Sequence, residues 1–138
     1  MKHDIAVIYR NKRTGDYLIQ PLSKHPDGYR VEQGAPAIIK ADEFLPRIAD
    51  AVRRGLELSR RLYNANETLV QDDKTAAAFE RSHHRVSVIE TDDGLEVMPY
   101  SRVRGGYEGN ERNAILVPHG DLPEGLVVAL QRAFELCK

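Results

Sequence analysis

The rhythm of apolar and polar positions changes several times along this chain. Ile5–Tyr9 is a short β-branched and aromatic run, which reads as a strand. A polar turn with one glycine follows at Asn11–Asp16, and Tyr17–Gln20 is the returning strand, with Pro21 expected to end it. Leu22–Ala35 has few apolar residues and two glycines, Gly28 and Gly34, and reads as loop. Pro36–Lys40 is a third short strand. Asp42 is the expected N-cap of a helix. Phe44, Ile48, Ala51, Val52, Gly55, Leu56, Ser59 and Leu62 fall on one face of that helix. Pro46 lies in its first turns, where a missing N–H is tolerated, and the arginines of its last turns suit the negative end of the dipole. Asn64–Lys74 is a polar connector, and Ala76–Ala78 make Thr75–Arg81 a short helix.

The second half starts with alternation at His84–Glu90. Asp93–Gly94 is a hairpin signal, and Leu95–Met98 returns until Pro99, the expected stop. Ser101–Arg112 reads as a glycine-containing loop and Ala114–Val117 as a sixth strand. Asp121 and Glu124 have capping-box spacing. They precede a helix with Leu122, Leu126, Ala129, Leu130, Ala133, Phe134 and Cys137 on one face.

The halves echo one another. At a shift of 78 positions Ala51 meets Ala129, Arg54 meets Arg132, Glu57 meets Glu135 and Leu58 meets Leu136. The same shift carries Ile19–Ser23 onto Val97–Ser101 and Gly28–Tyr29 onto Gly106–Tyr107. A single α+β domain is expected, with half-repeats at about 1–62 and 84–138 and a connector at 63–83. Each half supplies a β-β-β-α unit, giving an antiparallel sheet of about six strands with the two long helices on one face. The rows Ala51, Gly55, Ser59 and Ala129, Ala133, Cys137 are expected to let the helix axes approach closely. The other sheet face should be wetter.

Length and charge narrow the picture. The 138 residues fit one domain with a real core. Lys plus Arg is 20 against 21 Asp plus Glu, which gives no basic excess for nucleic acid or an anionic membrane. Cys137 is the one cysteine, so no internal disulfide and no cysteine-type zinc set can form. The opening residues carry no apolar run of signal-peptide length, and no stretch approaches a membrane span, so a cytoplasmic protein is expected.

Candidate chemistry is sparse. His83 and His84 point to opposite faces of a strand and cannot share a metal there. His3, His25 and His119 show no ligand spacing. The doublets Asp72–Asp73 and Asp92–Asp93 have the composition of acid–base or cation sites, but turn chemistry explains them. Arg102, Arg104, Gly105 and Gly106 have the makings of an anion cradle, yet no Gly-Lys-Ser/Thr follows. Arg102, Arg104 and Tyr107 read either as a recognition surface or as a plain solvated loop, and the same two readings hold for His25, Tyr29 and Arg30 in the first half. Cys137 is explained by packing. No cofactor or metal is implied, and no catalytic set stands out. A small hydrolase or nuclease using His84 and Asp93 is the alternative.

The segments ILVP, LVVALQRAFELC, LEVMP, RGGYEG and LELSRR together resemble the bacterial contact-dependent growth inhibition immunity proteins of the CdiI type. That resemblance implies a cytoplasmic protein without catalysis of its own. It would bind and neutralise the C-terminal toxin domain of a cognate effector, commonly a nuclease, by covering its active site or substrate-binding face. Neither nucleic acid nor membrane is implied as a direct partner, and homodimer formation through sheet edges is left open. Near-neutral charge argues against simple mimicry of an anionic substrate, unless Asp72, Asp73, Glu80, Asp92 and Asp93 gather on folding. Partner-facing candidates are Asp72, Asp73, Asp92, Asp93, Arg102, Arg104 and Tyr107. Long helices lying far apart, or buried polar groups around a pocket, would count against this reading.

Overall fold

The computed structural model describes residues 4–61, 63–67 and 72–138. Leu62 and His3 therefore lie outside the described residues. Strands β1 (Ile5–Asn11) and β2 (Tyr17–Lys24) form the first hairpin, followed by β3 (Arg30–Glu32), β4 (Ala37–Ile39) and helix α1 (Phe44–Leu58). A short helix α2 (Asp73–Ser82) leads into β5 (His83–Thr91), β6 (Gly94–Val103), β7 (Gly106–Gly109), β8 (Ile115–Pro118) and helix α3 (Glu124–Leu136). The strands make one antiparallel sheet in the order β3-β2-β1-β5-β6-β7, with β4 also on β2 and β8 also on β6. The sheet therefore has eight strands rather than about six.

The two additional strands lie in the stretches expected as loops, and the prolines explain why. On β2, β4 pairs with Tyr17–Ile19 and β3 with Leu22–Lys24. On β6, β8 pairs with Gly94–Val97 and β7 with Tyr100–Val103. Pro21 and Pro99 fall in the gaps between those outer strands, where the outer edge needs no N–H from them. Both strands run on through their prolines. Gln20 helps close its gap by donating to the Gln33 and Gly34 carbonyls at 2.9 and 3.2 Å.

One sheet face carries the main core. Ala6, Ile8, Ile19, Val86, Val88 and Val97 are sealed beneath Ile48, Val52, Leu56, Leu126, Leu130 and Phe134 of the long helices. The helices lie side by side and antiparallel. Tyr17 touches both Phe44 at the start of α1 and Phe134 near the end of α3, with ring centroids 4.8 and 5.4 Å apart. The rows of small residues seat the helices on the sheet rather than on each other. A Cβ on Gly55 would meet Ile19 Cγ2 at 3.0 Å and Ala6 Cβ at 3.3 Å. Ser59 Oγ accepts from the Ile5 N–H at 3.1 Å, and the Cys137 thiol donates to the Arg85 carbonyl at 3.3 Å.

The expected helix caps are replaced by other devices. Asp42 sits within a 3₁₀ turn (Ala41–Glu43), and Asp16 of the first hairpin accepts from the Ala41 N–H at 2.9 Å instead. Asp121 likewise lies in a 3₁₀ turn (His119–Asp121), and Pro123 occupies the N-cap of α3 with no side-chain cap. Arg60 lies beyond α1 and binds Asp4 at 2.5 Å, which ties the end of the helix to the first strand.

The second sheet face is not simply wet. Val7, Tyr9 and Leu22 form a smaller core there, joined by Ile5, Leu18, Phe79 and Tyr107. Phe79 belongs to α2, which lies across this face. Asp72 caps α2 by accepting from the Thr75 N–H at 2.7 Å. Among the described residues, no helix is long and apolar enough to cross a membrane.

Candidate functional site: a tyrosine and arginine cleft under α2

Strand alternation places Tyr9 and Arg85 on the same face, because they are register partners across β1 and β5. Tyr9 packs edge-on against Phe79 of α2, with centroids 4.9 Å apart, and donates its hydroxyl to the Glu32 carboxylate from β3. Tyr107 of β7 closes the far side. Its hydroxyl donates to the carbonyls of His83 and Glu80 at 3.0 and 3.3 Å, which pins the C-terminal end of α2. The result is a cleft of about 660 Å³ that includes Leu18, Gln20, Glu32, Phe79, Glu80 and Arg85 among its walls.

Arg85 is the charged floor. Its guanidinium lies 4.7 Å from the ring centre of Tyr100, 5.7 Å from that of Tyr107 and 5.8 Å from that of Tyr9. Rings at these distances attract a cation through their quadrupoles. Nη1 donates to the Tyr9 hydroxyl at 3.4 Å, while Nε is buried without an acceptor.

The two tyrosine hydroxyls of the cleft are suited to donating hydrogen bonds rather than to accepting protons. Burial, then the Glu32 charge, holds the Tyr9 hydroxyl far above the ordinary phenol range. Burial and then Glu80 push Tyr107 up to about 12. Both stay protonated near neutral pH, the opposite of what a general base requires. His83 is stacked on Phe79 at 3.9 Å, and its Nδ1 is occupied by Ser82 Oγ and the Phe79 carbonyl. Buried polar groups do surround a pocket here, the Tyr9 hydroxyl and Arg85 Nε among them.

The residues singled out from sequence fall in separate places. Arg102 and Arg104 are exposed beside the cleft, at the β6–β7 turn, and Arg102 is the register partner of Tyr107. Asp72 and Asp73 are exposed at the start of α2. Asp92 and Asp93 form the turn between β5 and β6, at the far end of the strands. The rise of a strand puts them roughly 25–30 Å from His83 and His84. Folding therefore does not gather the five acidic residues. His84 and Asp93 cannot act on one small substrate, and burial followed by the Lys12 and Arg10 charges pushes the His84 pKa down. His25, at the β2–β3 turn, stacks on Tyr29 and meets Tyr63 at a tilt, each with ring centroids 4.4 Å away. Burial raises the Cys137 thiol above its usual range. Among the described residues no group of three His, Cys, Asp or Glu could hold a metal.

Sequence reading missed Tyr9, Glu32 and Arg85 as a unit. Tyr9 and Arg85 are 76 positions apart, and only the β1–β5 register makes them neighbours.

The class this geometry defines is an antiparallel α+β domain, with two helices on one sheet face and a cleft under a third helix on the other. No protein-family model matches the sequence, and no curated protein matches it. Two solved structures share the fold from end to end. A protein of unknown function from Neisseria meningitidis superposes with a TM-score of 0.75 at 15% identity, covering 99% of this chain and 96% of that one. A chain of the CdiA-CT/CdiI toxin and immunity complex from Yersinia pseudotuberculosis superposes with a TM-score of 0.70 at 14% identity, covering 100% and 99%. The resemblance to CdiI-type proteins holds at the level of fold.

Proposed function

We propose that this chain is an immunity protein of the contact-dependent growth inhibition type. It binds the C-terminal toxin domain of a cognate effector and neutralises it by covering the active site or substrate-binding face. The observation that carries this reading is the end-to-end fold likeness to a chain of a toxin and immunity complex. The whole chain acts as one domain with half-repeats at about 1–62 and 84–138, working in the bacterial cytoplasm against a toxin that is a nuclease. Arg102, Arg104 and Tyr107 beside the cleft offer one contact surface, and Asp72 and Asp73 at the start of α2 offer further contacts. Asp92 and Asp93 offer a separate one at the opposite end. Edge strands β3 and β7 leave room for a homodimer.

Co-expression with the toxin domain of the neighbouring gene tests this. A stoichiometric complex and protected cells are expected. Absence of both a complex and protection ends the proposal. The enzyme alternative built on His84 and Asp93 has no geometric support.

A further inference from the structure

Arg85 is incompletely used by its own protein. Among the described residues its guanidinium has one acceptor, the Tyr9 hydroxyl at 3.4 Å, and no ion-pair partner. Its Nε is buried without an acceptor, and a polar group left so is costly. Three tyrosine rings surround it and supply no anion. The cleft above, at about 660 Å³, is the size of ordinary small-ligand sites. Leu18, Ala35, Pro36 and Phe79 give it apolar walls.

We propose that the cleft is a binding site for a single carboxylate carried on an apolar or aromatic group. The guanidinium fork matches the two oxygens of a carboxylate. Glu32 and Glu80 line the same cleft and disfavour a doubly charged phosphate there. The aromatic and aliphatic walls receive the body of the ligand while Arg85 takes its head. The proposal stands apart from the immunity reading, because neither probe below is a toxin.

The test follows the arginine Nε–H and backbone amide signals of the full chain, labelled with ¹⁵N, by NMR. Sodium benzoate and an end-blocked peptide with one internal glutamate are titrated at constant ionic strength, with chloride as the control. A saturable shift of Arg85 and of the Tyr9 and Tyr107 amides is expected with at least one carboxylate. A stronger response to benzoate assigns the site to a small aromatic acid, and a stronger response to the peptide assigns it to an acidic protein side chain. Arg85→Gln should abolish the shift. Arg85→Lys, which keeps the charge and loses the fork, should weaken binding by about tenfold, and it serves if the first variant does not fold. Equal shifts with chloride, no shift with either carboxylate, or an undiminished response in the variants would overturn the proposal.

Discussion

Ile8 stands directly across from Val86 at the middle of the sheet. Both side chains are fully buried under the long helices. Ile8→Ala should cost about 2–5 kcal/mol, and Val86→Ala somewhat less because it removes fewer methyl groups. Their cavities would merge, so the double variant should depart from additivity by about 0.5 kcal/mol or more. Urea denaturation measures all three. Strict additivity would show that the two do not share a packing site.

Gly55 sets how closely α1 can lie on the sheet. A β-branched side chain there would press on Ile19 and Ala6, so Gly55→Val should destabilise by roughly 1–3 kcal/mol. Wild-type stability in the same denaturation assay would mean that α1 can lift off the sheet without penalty.

Much of this architecture was legible in the sequence because the repeat preserves spacing. The offset that aligns Leu58 with Leu136 also aligns the ends of α1 and α3, and it carries Ala37 at the start of β4 onto Ile115 at the start of β8. What escaped was short or non-local. β3 and β7 have three and four residues and little apolar alternation, and they form because β2 and β6 offer an open edge beyond their prolines. Asp72 has the sequence context of a turn, and only the backbone shows it as a helix cap. Glu32 lay in an expected loop, and Arg85 gains meaning only from pairing with Tyr9.

Tyr107→Phe should loosen α2 without unfolding the domain. The change removes the one O–H that the Glu80 and His83 carbonyls share, a hydrogen bond worth about 0.5–1.5 kcal/mol. Hydrogen exchange of the α2 amides should quicken while the amides of β1 and β5 stay protected. Uniform acceleration across the chain, or none in α2, would contradict the pinning role.

Acid should weaken the fold through His84. Its pKa is depressed by burial and by Lys12 and Arg10, so the unfolded chain binds the proton more readily. Stability attributable to this residue is intact above the unfolded value near 6.5 and declines as pH falls below it, until the folded pKa is passed. His84→Gln should flatten that part of the stability profile just below about pH 6.5. An unchanged slope in the variant would remove His84 as the cause.

Under the proposed immunity role, the separation of the charged groups allows the contact end to be located. Arg102 and Arg104 sit beside the cleft, whereas Asp92 and Asp93 lie at the opposite end of the β5–β6 hairpin. All four are exposed, so reversing them should leave the core intact. The aromatic and arginine content around the cleft is the composition that dominates binding energy at interfaces. Reversal of both arginines to glutamate should therefore slow association with the toxin domain and reduce protection in co-expression. Reversal of Asp92 and Asp93 to lysine should change neither. Charges at an interface rim act mainly on the association rate, so stopped-flow or surface-based kinetics at two salt concentrations separates the cases. The opposite pattern would move the contact to the hairpin end, and equal loss from both pairs would require a toxin large enough to span the sheet.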